Sequence, residues 1–454
     1  MLNRNKLIGL TCGIIFAGSL PVCAGFELIH KPEPKDPMKV HVYRLDNGLT
    51  VYLTENHQKP RFYAEIAVRA GSKHDPSEAT GIAHYLEHMM LFKGSERIGT
   101  LDYEKESVHL DSIATLYEEH FRTRDEAQRK AIYALIDEQS QLAAGHAVPG
   151  EIQRLYNSMG SKRLNAHTYL EETVYKVDLP SNRFVHWAKT EAERFANPVF
   201  RLFQTELETV YEEKNRSLDN KDRLIREAVH SLLYKLHPYG QRTTLGSVEH
   251  LKNPSLKRMR EYYETYYVPN NMAVLISGDI EISAAIEIID AEFSVWQPRE
   301  LPKVMRWKEA KLTAREQVTV TYPAEEYVLI AFRTEASTHK HTEALQLLDM
   351  TLDNATAGLI NINLNQKQVV RRAGSYTTSH SNQNDYGAQF LWGIPKQDQT
   401  LEEVEQLLLD QIKLLRNGEF EEWIVPAIVT DFEKSRKRGL EKNGSRVSMM
   451  REAF

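Results

Sequence analysis

Residues 81–90 read GIAHYLEHMM, the stretch on which the expected fold and chemistry of the chain depend. His84 and His88 are four residues apart, so a helix places both imidazoles on one face, one turn apart. Glu87 lies beside that face, where its carboxylate can reach a metal-bound water rather than the metal. The H-x-x-E-H spacing therefore predicts a helical metal site with a general base next to it.

The third metal ligand is expected to be an acid on another helix. A catalytic zinc ion takes three protein ligands and keeps one position for water. The segment 205–220, TELETVYEEKNRSLDN, offers Glu206, Glu208, Glu212 and Glu213. Glu206 and Glu213 are seven residues apart and so share a helix face, but the composition does not choose among the four acids.

Composition excludes several classes of protein. The 454 residues are 41% hydrophobic and 26% charged, as in an ordinary soluble chain, which excludes a polytopic membrane protein. The formal net charge of -6 shows no basic excess, so nucleic acid is not an expected partner.

Residues 1–24 are typical of a secretory signal peptide. Arg4 and Lys6 precede the uncharged stretch 7–20, and cleavage is expected after Ala24. Both cysteines of the chain, Cys12 and Cys23, would be removed with it, leaving neither disulfides nor thiolate ligands. We expect a periplasmic or secreted protein without a membrane segment after cleavage; a retained anchor is the alternative.

Two related domains are expected. We predict a linker over 25–37, a metal-binding domain over 38–300 with a helical insertion at about 103–150, and a second domain over 310–454. The sequence IAFR at 330–333 repeats IAVR of 66–69 in character, and a helical pattern follows each. The second copy has Leu348 and Leu352 where the first has His84 and His88, so only the first copy keeps the metal-binding pattern.

HYLEH, followed by FKGSE, NAHTYLEETVY and E-x-x-x-V-x-x-E, resembles the inverzincin zinc peptidases of the pitrilysin/insulin-degrading-enzyme family (M16). The resemblance covers residues 38–454. It implies an α+β fold of two homologous domains, each a mostly antiparallel sheet with helices packed on one face. The second domain is expected to be C-terminally incomplete, because the chain ends in a helical pattern without a stop signal.

The resemblance also assigns roles to residues. Val210 fixes the register of the acidic motif, which implies Glu213 as the third zinc ligand and Glu206 as a supporting acid. The family's substrate-binding edge strand matches Asn165 and Ala166, which would bind peptides through main-chain hydrogen bonds. A turn or capping role is the alternative for Asn165.

The implied activity is zinc-dependent endopeptidase cleavage of small or unfolded peptides, with one Zn²⁺ per chain. A second M16-type half or a homodimer is an expected partner that would complete a substrate chamber. Two alternatives stay open: a non-catalytic M16-type partner subunit, and a periplasmic peptide-binding protein with a structural metal. The 103–150 insertion could gate the chamber or be a surface decoration.

Overall fold

The computed structural model describes residues 25–354, 356–378 and 383–454, so the predicted signal peptide lies outside the described residues. The chain folds into two sheets with many helices, which confirms the α+β class. We refer to residues 25–296 as the N-terminal half and to residues 328–454 as the C-terminal half. Between them, residues 297–327 form neither helix nor strand, and they contain the end of the predicted first domain.

The first sheet belongs to the N-terminal half. Its seven strands are β1 (Phe26–His30), β2 (His41–Leu45), β3 (Thr50–Glu55), β4 (Arg61–Val68), β5 (Lys162–Thr168), β6 (Thr173–Pro180) and β7 (Met272–Gly278). They lie in the order β1-β2-β3-β7-β4-β6-β5, and all neighbours are antiparallel except the parallel pair β3 and β7. Strands β1 and β5 are therefore the two edges.

The predicted linker over 25–37 was wrong at its start. Strand β1 (Phe26–His30) pairs with β2 from Phe26 opposite Leu45. The prolines of this segment all follow His30, whereas FELIH itself contains the apolar residues that a strand favours. The edge of β2 supplies hydrogen-bond partners that the local sequence does not reveal.

Helices cover one face of the first sheet. The helices of the N-terminal half are α1 (Ile82–Phe92), α2 (Tyr103–Arg122), α3 (Glu126–Ala144), α4 (Glu151–Ser158), α5 (Phe184–Ala196), α6 (Phe203–Leu218), α7 (Lys221–Leu233), α8 (Pro238–Gln241), α9 (Val248–Lys252), α10 (Leu256–Tyr266) and α11 (Ile282–Phe293). Alternate strand residues such as Phe62, Ala64 and Ile66 enter the common core. The predicted helical pair over 103–150 is present as α2 and α3, packed against each other.

The second sheet repeats part of this pattern. It contains β8 (Val328–Thr334), β9 (Arg372–Thr377) and β10 (Gly387–Ile394), in the order β8-β10-β9 and antiparallel throughout. The C-terminal half adds α12 (Thr342–Leu352), α13 (Leu401–Asn417), α14 (Ile424–Gly439) and α15 (Asn443–Ala453). The order of strand, loop and helix in β8 and α12 matches that of β4 and α1, and Leu348 and Leu352 lie in α12.

Each sheet is also covered on its second face by the other half of the chain. Val447 and Met450 of α15 pack on Ala67 and Leu275 of the first sheet. The end of α7 and α8 pack on Ala388 and Phe390 of the second sheet through the side chains of Leu233, Tyr234 and Tyr239. Within each half, helices cover one face of the sheet, as expected. The other face of each sheet is covered by helices of the opposite half.

Helix α15 should contribute directly to the stability of the N-terminal half. Met450 is 2% exposed, whereas its neighbour Met449 is partly exposed. We expect Met450→Ala to lower the free energy of unfolding by about 2–5 kcal/mol, because it removes buried apolar contacts. Met449→Ala is the matched control and should cost less than about 1 kcal/mol in the same urea titration. Equal losses for the two variants would contradict this packing.

Every helix in residues 25–354, 356–378 and 383–454 is too short or too polar to be a candidate membrane span.

Candidate metal centre

Helix α1 is held at its first turn by a carboxylate from the preceding loop. Its N-cap is Gly81, which has no side chain to bond the free backbone N–H groups. Asp75 supplies this function, accepting hydrogen bonds from the backbone N–H of Gly81 at 2.6 Å and of Ala83 at 2.9 Å. Gly81 has φ +92°, and a Cβ there would lie 2.8 Å from the carbonyl oxygen of Leu245. The start of α1 is therefore fixed one turn before the predicted ligands.

His84 and His88 lie one turn apart on α1, with ring centroids 4.7 Å apart. Residues on the other sides of the helix, such as Leu86 and Met89, are fully buried. The two imidazoles therefore face the space between α1 and α6, as their spacing predicts.

Glu213 reaches the same space from α6. Its Oε2 lies 3.6 Å from Nε2 of His84 and 3.5 Å from Nε2 of His88. One ligand atom from each of the three residues falls within 4.8 Å of the others. The side chain of Glu213 is 48% exposed, whereas that of His84 is 9% exposed, so the group is open to solvent on the Glu213 side.

Glu206 lies behind His88 rather than among the three. Its Oε1 accepts from Nδ1 of His88 at 2.8 Å, and its Oε2 pairs with Nζ of Lys93 at 2.6 Å. Burial alone would raise the pKa of Glu206, but the bonds from His88 and Lys93 outweigh it and lower the pKa to about 2. The ionised carboxylate holds the ring of His88 so that Nε2 points towards Glu213. An acid in this position fixes the tautomer of a metal-binding histidine.

Glu87 lies on the side of α1 that faces the sheet. It is 5% exposed, and its Oε2 accepts a hydrogen bond from Oγ1 of Thr168 on β5 at 2.8 Å. Burial raises the pKa of Glu87 to about 7, and the bond from Thr168 opposes that rise. This carboxyl group is therefore held next to the histidines, in an environment suited to proton transfer.

The donor set fits a metal ion of the zinc type. Burial lowers the pKa of His84 to about 4, so its imidazole is neutral at pH 7 and has a lone pair for a metal. Its buried Nδ1 has no hydrogen-bond partner within the described parts of the chain. Two imidazole nitrogens and one carboxylate, with one side open, match the arrangement of catalytic rather than structural zinc sites.

Asn165 and Ala166 lie on β5, which is an edge of the first sheet as the sequence predicts. Asn165 is exposed and lies opposite Lys176 of β6, whereas Ala166 is buried in the core on the α1 side. Thr168, two residues further along the strand, bonds Glu87. The edge strand is therefore joined to the metal centre by a direct hydrogen bond.

Sequence reasoning missed three residues that build this site. Asp75, Lys93 and Thr168 each bond a residue or helix end of the centre. Lys93 stands in the motif FKGSE and Thr168 in the motif NAHTYLEETVY, both quoted above, and Asp75 ends the segment AGSKHD at 70–75. Motif membership marks them as candidates, but their partners lie far away in the sequence.

The hairpin of α2 and α3 supports the helix that carries both acids. Tyr117 of α2 is fully buried and packs edge-on against Phe203 at the start of α6, with ring centroids 5.0 Å apart. Glu106 of α2 pairs with Arg201 at 2.8 Å, and both side chains are buried. The predicted insertion therefore buttresses α6.

Two family profiles match the chain. The profile described as "Insulinase (Peptidase family M16)" matches residues 50–134, which include the two histidines and Glu87. The profile described as "Peptidase M16 inactive domain" matches residues 254–431, which include Leu348 and Leu352. The chain belongs to the M16 peptidase family, and the profiles agree with a metal-binding pattern confined to the N-terminal half.

Curated and solved relatives agree with this family. The chain is 26% identical to the probable zinc protease PqqL of Haemophilus influenzae over 365 residues, covering 77% of this chain and 33% of that protein. It thus spans about a third of that relative's length. A protease from Helicobacter pylori shares the fold with a TM-score of 0.69 and 16% identity, covering 91% of this chain and 88% of that one. The first half of the periplasmic protease PqqL from Escherichia coli gives a TM-score of 0.61 at 16% identity, covering 92% and 80%.

The contact between Glu206 and His88 should strengthen metal binding. We expect Glu206→Gln to weaken Zn²⁺ affinity by about 10–100-fold, because the ring of His88 loses its charged partner. Competition with a coloured chelator measures the affinity. Glu212→Gln is the matched control on the same helix, since the exposed Glu212 pairs with the exposed Arg216, four residues further along α6. Similar losses in the two variants would show that Glu206 has no specific effect.

Proposed function

We propose that this protein is a zinc-dependent metalloendopeptidase that cleaves small or unfolded peptides bound as an added β-strand. The observation that carries the proposal is the convergence of ligand atoms from His84, His88 and Glu213 within 4.8 Å, with Glu87 buried beside them. The family membership and the name of the Haemophilus influenzae relative, a probable zinc protease, support it.

His84 and His88 would hold the metal through Nε2, and Glu213 through its carboxylate. A zinc ion there would supply Lewis-acid activation of water and of the scissile carbonyl. Glu87 takes the proton of the attacking water and passes it to the leaving amine, so that one peptide bond and one water give a carboxylic acid and an amine. Thr168 keeps Glu87 directed towards the centre through its hydrogen bond.

The substrate would lie along the outer edge of β5, next to Asn165. Strand β5 pairs with β6 on one side, and its other side is the end of the sheet. An extended peptide added there would form main-chain hydrogen bonds, which tolerate many side chains. The bond between Thr168 and Glu87 supports this proposal, because a peptide bound along β5 would then pass close to Glu87.

A second M16-type half, or a second copy of this chain, would complete a chamber around that edge. The likeness to a first half of a longer protease supports this proposal. That protease is periplasmic, which supports a periplasmic or secreted location for this protein. Such a location also needs the signal peptide over 1–24 to be cleaved.

Replacing Glu87 should separate catalysis from metal binding. We expect Glu87→Gln to retain zinc while reducing cleavage of a quenched peptide by about 10²–10⁴-fold, because the amide cannot accept the proton of water. His88→Ala should lose both zinc and cleavage. Metal analysis and peptide cleavage, each with and without chelator, measure the two effects. Unchanged cleavage by Glu87→Gln would exclude this residue as the base, whereas no cleavage by the unmodified zinc-loaded protein would favour a non-catalytic or peptide-binding role.

Strand addition makes a prediction about the substrate backbone. N-methylation removes one backbone donor, and only alternate residues of an added strand point their N–H groups at β5. We expect N-methylation at alternate positions to weaken binding by about tenfold each, and at the intervening positions much less. Inhibition constants for a series of singly methylated peptides measure this. Equal effects at every position would contradict binding as a strand.

A further inference from the structure

The turn between β5 and β6, residues 169–172, lies next to Thr168 and so next to the bond with Glu87. Its own backbone is closed by a bond from Tyr169 N–H to the carbonyl oxygen of Glu172 at 2.8 Å. It is also tied to the segment before α1, since Ser72 N–H donates to the carbonyl oxygen of Tyr169 at 3.0 Å. The position of this turn therefore sets the end of the edge strand.

Glu171 connects the turn to the C-terminal half. Its side chain is 7% exposed and pairs with Nζ of Lys73 at 3.0 Å. The backbone N–H of Asn384 donates to the same carboxylate at 3.2 Å. Lys73 in turn pairs with Asp385 at 2.6 Å. Asn384 and Asp385 lie in the loop just before β10. The buried carboxylate of Glu171 is therefore partly stabilised by the C-terminal half.

Glu172 connects the turn to α15, the other contact between the halves. Its Oε2 lies 3.2 Å from Nε of Arg451, and Nη1 of Arg451 lies 2.7 Å from Glu65 on β4. The side chains of Glu65 and Glu172 are 4% and 10% exposed. Arg451 therefore joins the turn to the centre of the first sheet.

We propose that Asn384, Asp385 and Arg451 of the C-terminal half are positioning residues for the peptide-binding edge strand, acting through the adjacent acids Glu171 and Glu172. This inference rests on the proposed function of β5. An edge strand has hydrogen-bonded neighbours on one side only, so its end loosens readily unless side chains hold it. A rigid edge binds an extended peptide more tightly because less order is imposed on binding.

Loss of the contacts of Glu171 and Glu172 with the C-terminal half should weaken substrate binding rather than slow the chemical step. Loosening the turn leaves the ligands of α1 and α6 in place, since Asp75 and Glu206 hold them independently. A lower affinity for extended peptides would then appear as a higher KM where chemistry is slower than peptide dissociation. The C-terminal half would thus affect cleavage without contributing a metal ligand.

The test compares Glu172→Gln and Arg451→Met with Arg446→Met. Glu172→Gln keeps the pair of Arg451 with Glu65, but it also removes the charge that lies 3.3 Å from Nε2 of His167 on β5, so only effects shared with Arg451→Met report on the C-terminal half. Arg446 is the matched control, because it is another arginine of α15 with little exposed surface but bonds the carbonyl oxygens of Met38 and Glu55, away from the turn. Hydrogen exchange of residues 70–75 and 162–173, zinc content and peptide cleavage are measured on the full chain.

We expect exchange at the turn to rise about tenfold in Glu172→Gln and Arg451→Met, and KM to rise by a similar factor with kcat within about twofold. Arg446→Met should change neither. If hydrogen exchange is unchanged in both test variants, or rises equally in Arg446→Met, the proposal that Arg451 holds the turn is wrong. Faster exchange with an unchanged KM would show that the rigidity of the turn does not affect peptide binding. If the unmodified protein with bound zinc cleaves no peptide, the proposed function fails, while the exchange comparison still decides whether Arg451 holds the turn.

Discussion

The near-complete burial of α1 is the constraint on which the rest of the centre depends. Nine of its eleven residues are buried, including His84 and Glu87. Polar groups buried in this way are costly unless they have partners. Thr168 donates a hydrogen bond to Glu87, and Glu206 accepts one from His88. Asp75 accepts hydrogen bonds from the free N–H groups at the helix start. The elements that supply these partners, β5, α6 and the loop after β4, are thereby fixed around α1.

Burial and neighbouring charges set the pKa values of the side chains in the centre. Glu206 lies between His88 and Lys93, and their hydrogen bonds keep its pKa near 2, against the effect of burial. Hydrogen bonds that His88 donates to Glu206 and Glu213 likewise outweigh burial and raise the pKa of His88 to about 9, so this ring would release a proton on binding a metal ion, whereas burial holds the pKa of His84 near 4. One ring is thus oriented by a carboxylate behind it, and the other is kept neutral by its surroundings.

The C-terminal half has lost the histidines but not its structural role. Helix α15 covers the second face of the first sheet, and α7 and α8 cover the second sheet in return. Burial of apolar surface by this exchange makes the two halves depend on each other for stability. The ion pairs of Arg451 and of Lys73 with Asp385 lie within the same contact and reach the turn beside Thr168. Contacts of the C-terminal half therefore extend to the turn that follows β5.

The sequence by itself determined the local elements and one face of the centre. Spacing placed His84, Glu87 and His88 on a single helix, because the helical period is a property of neighbouring residues. Tertiary structure decided the partners. Only the packing of α6 against α1 shows that Glu213 meets both rings while Glu206 meets the far side of His88. Likewise β1, assigned to a linker, is a strand because β2 supplies its hydrogen bonds, and Thr168 matters because β5 brings it to Glu87. These contacts join segments far apart along the chain, and no local period encodes them.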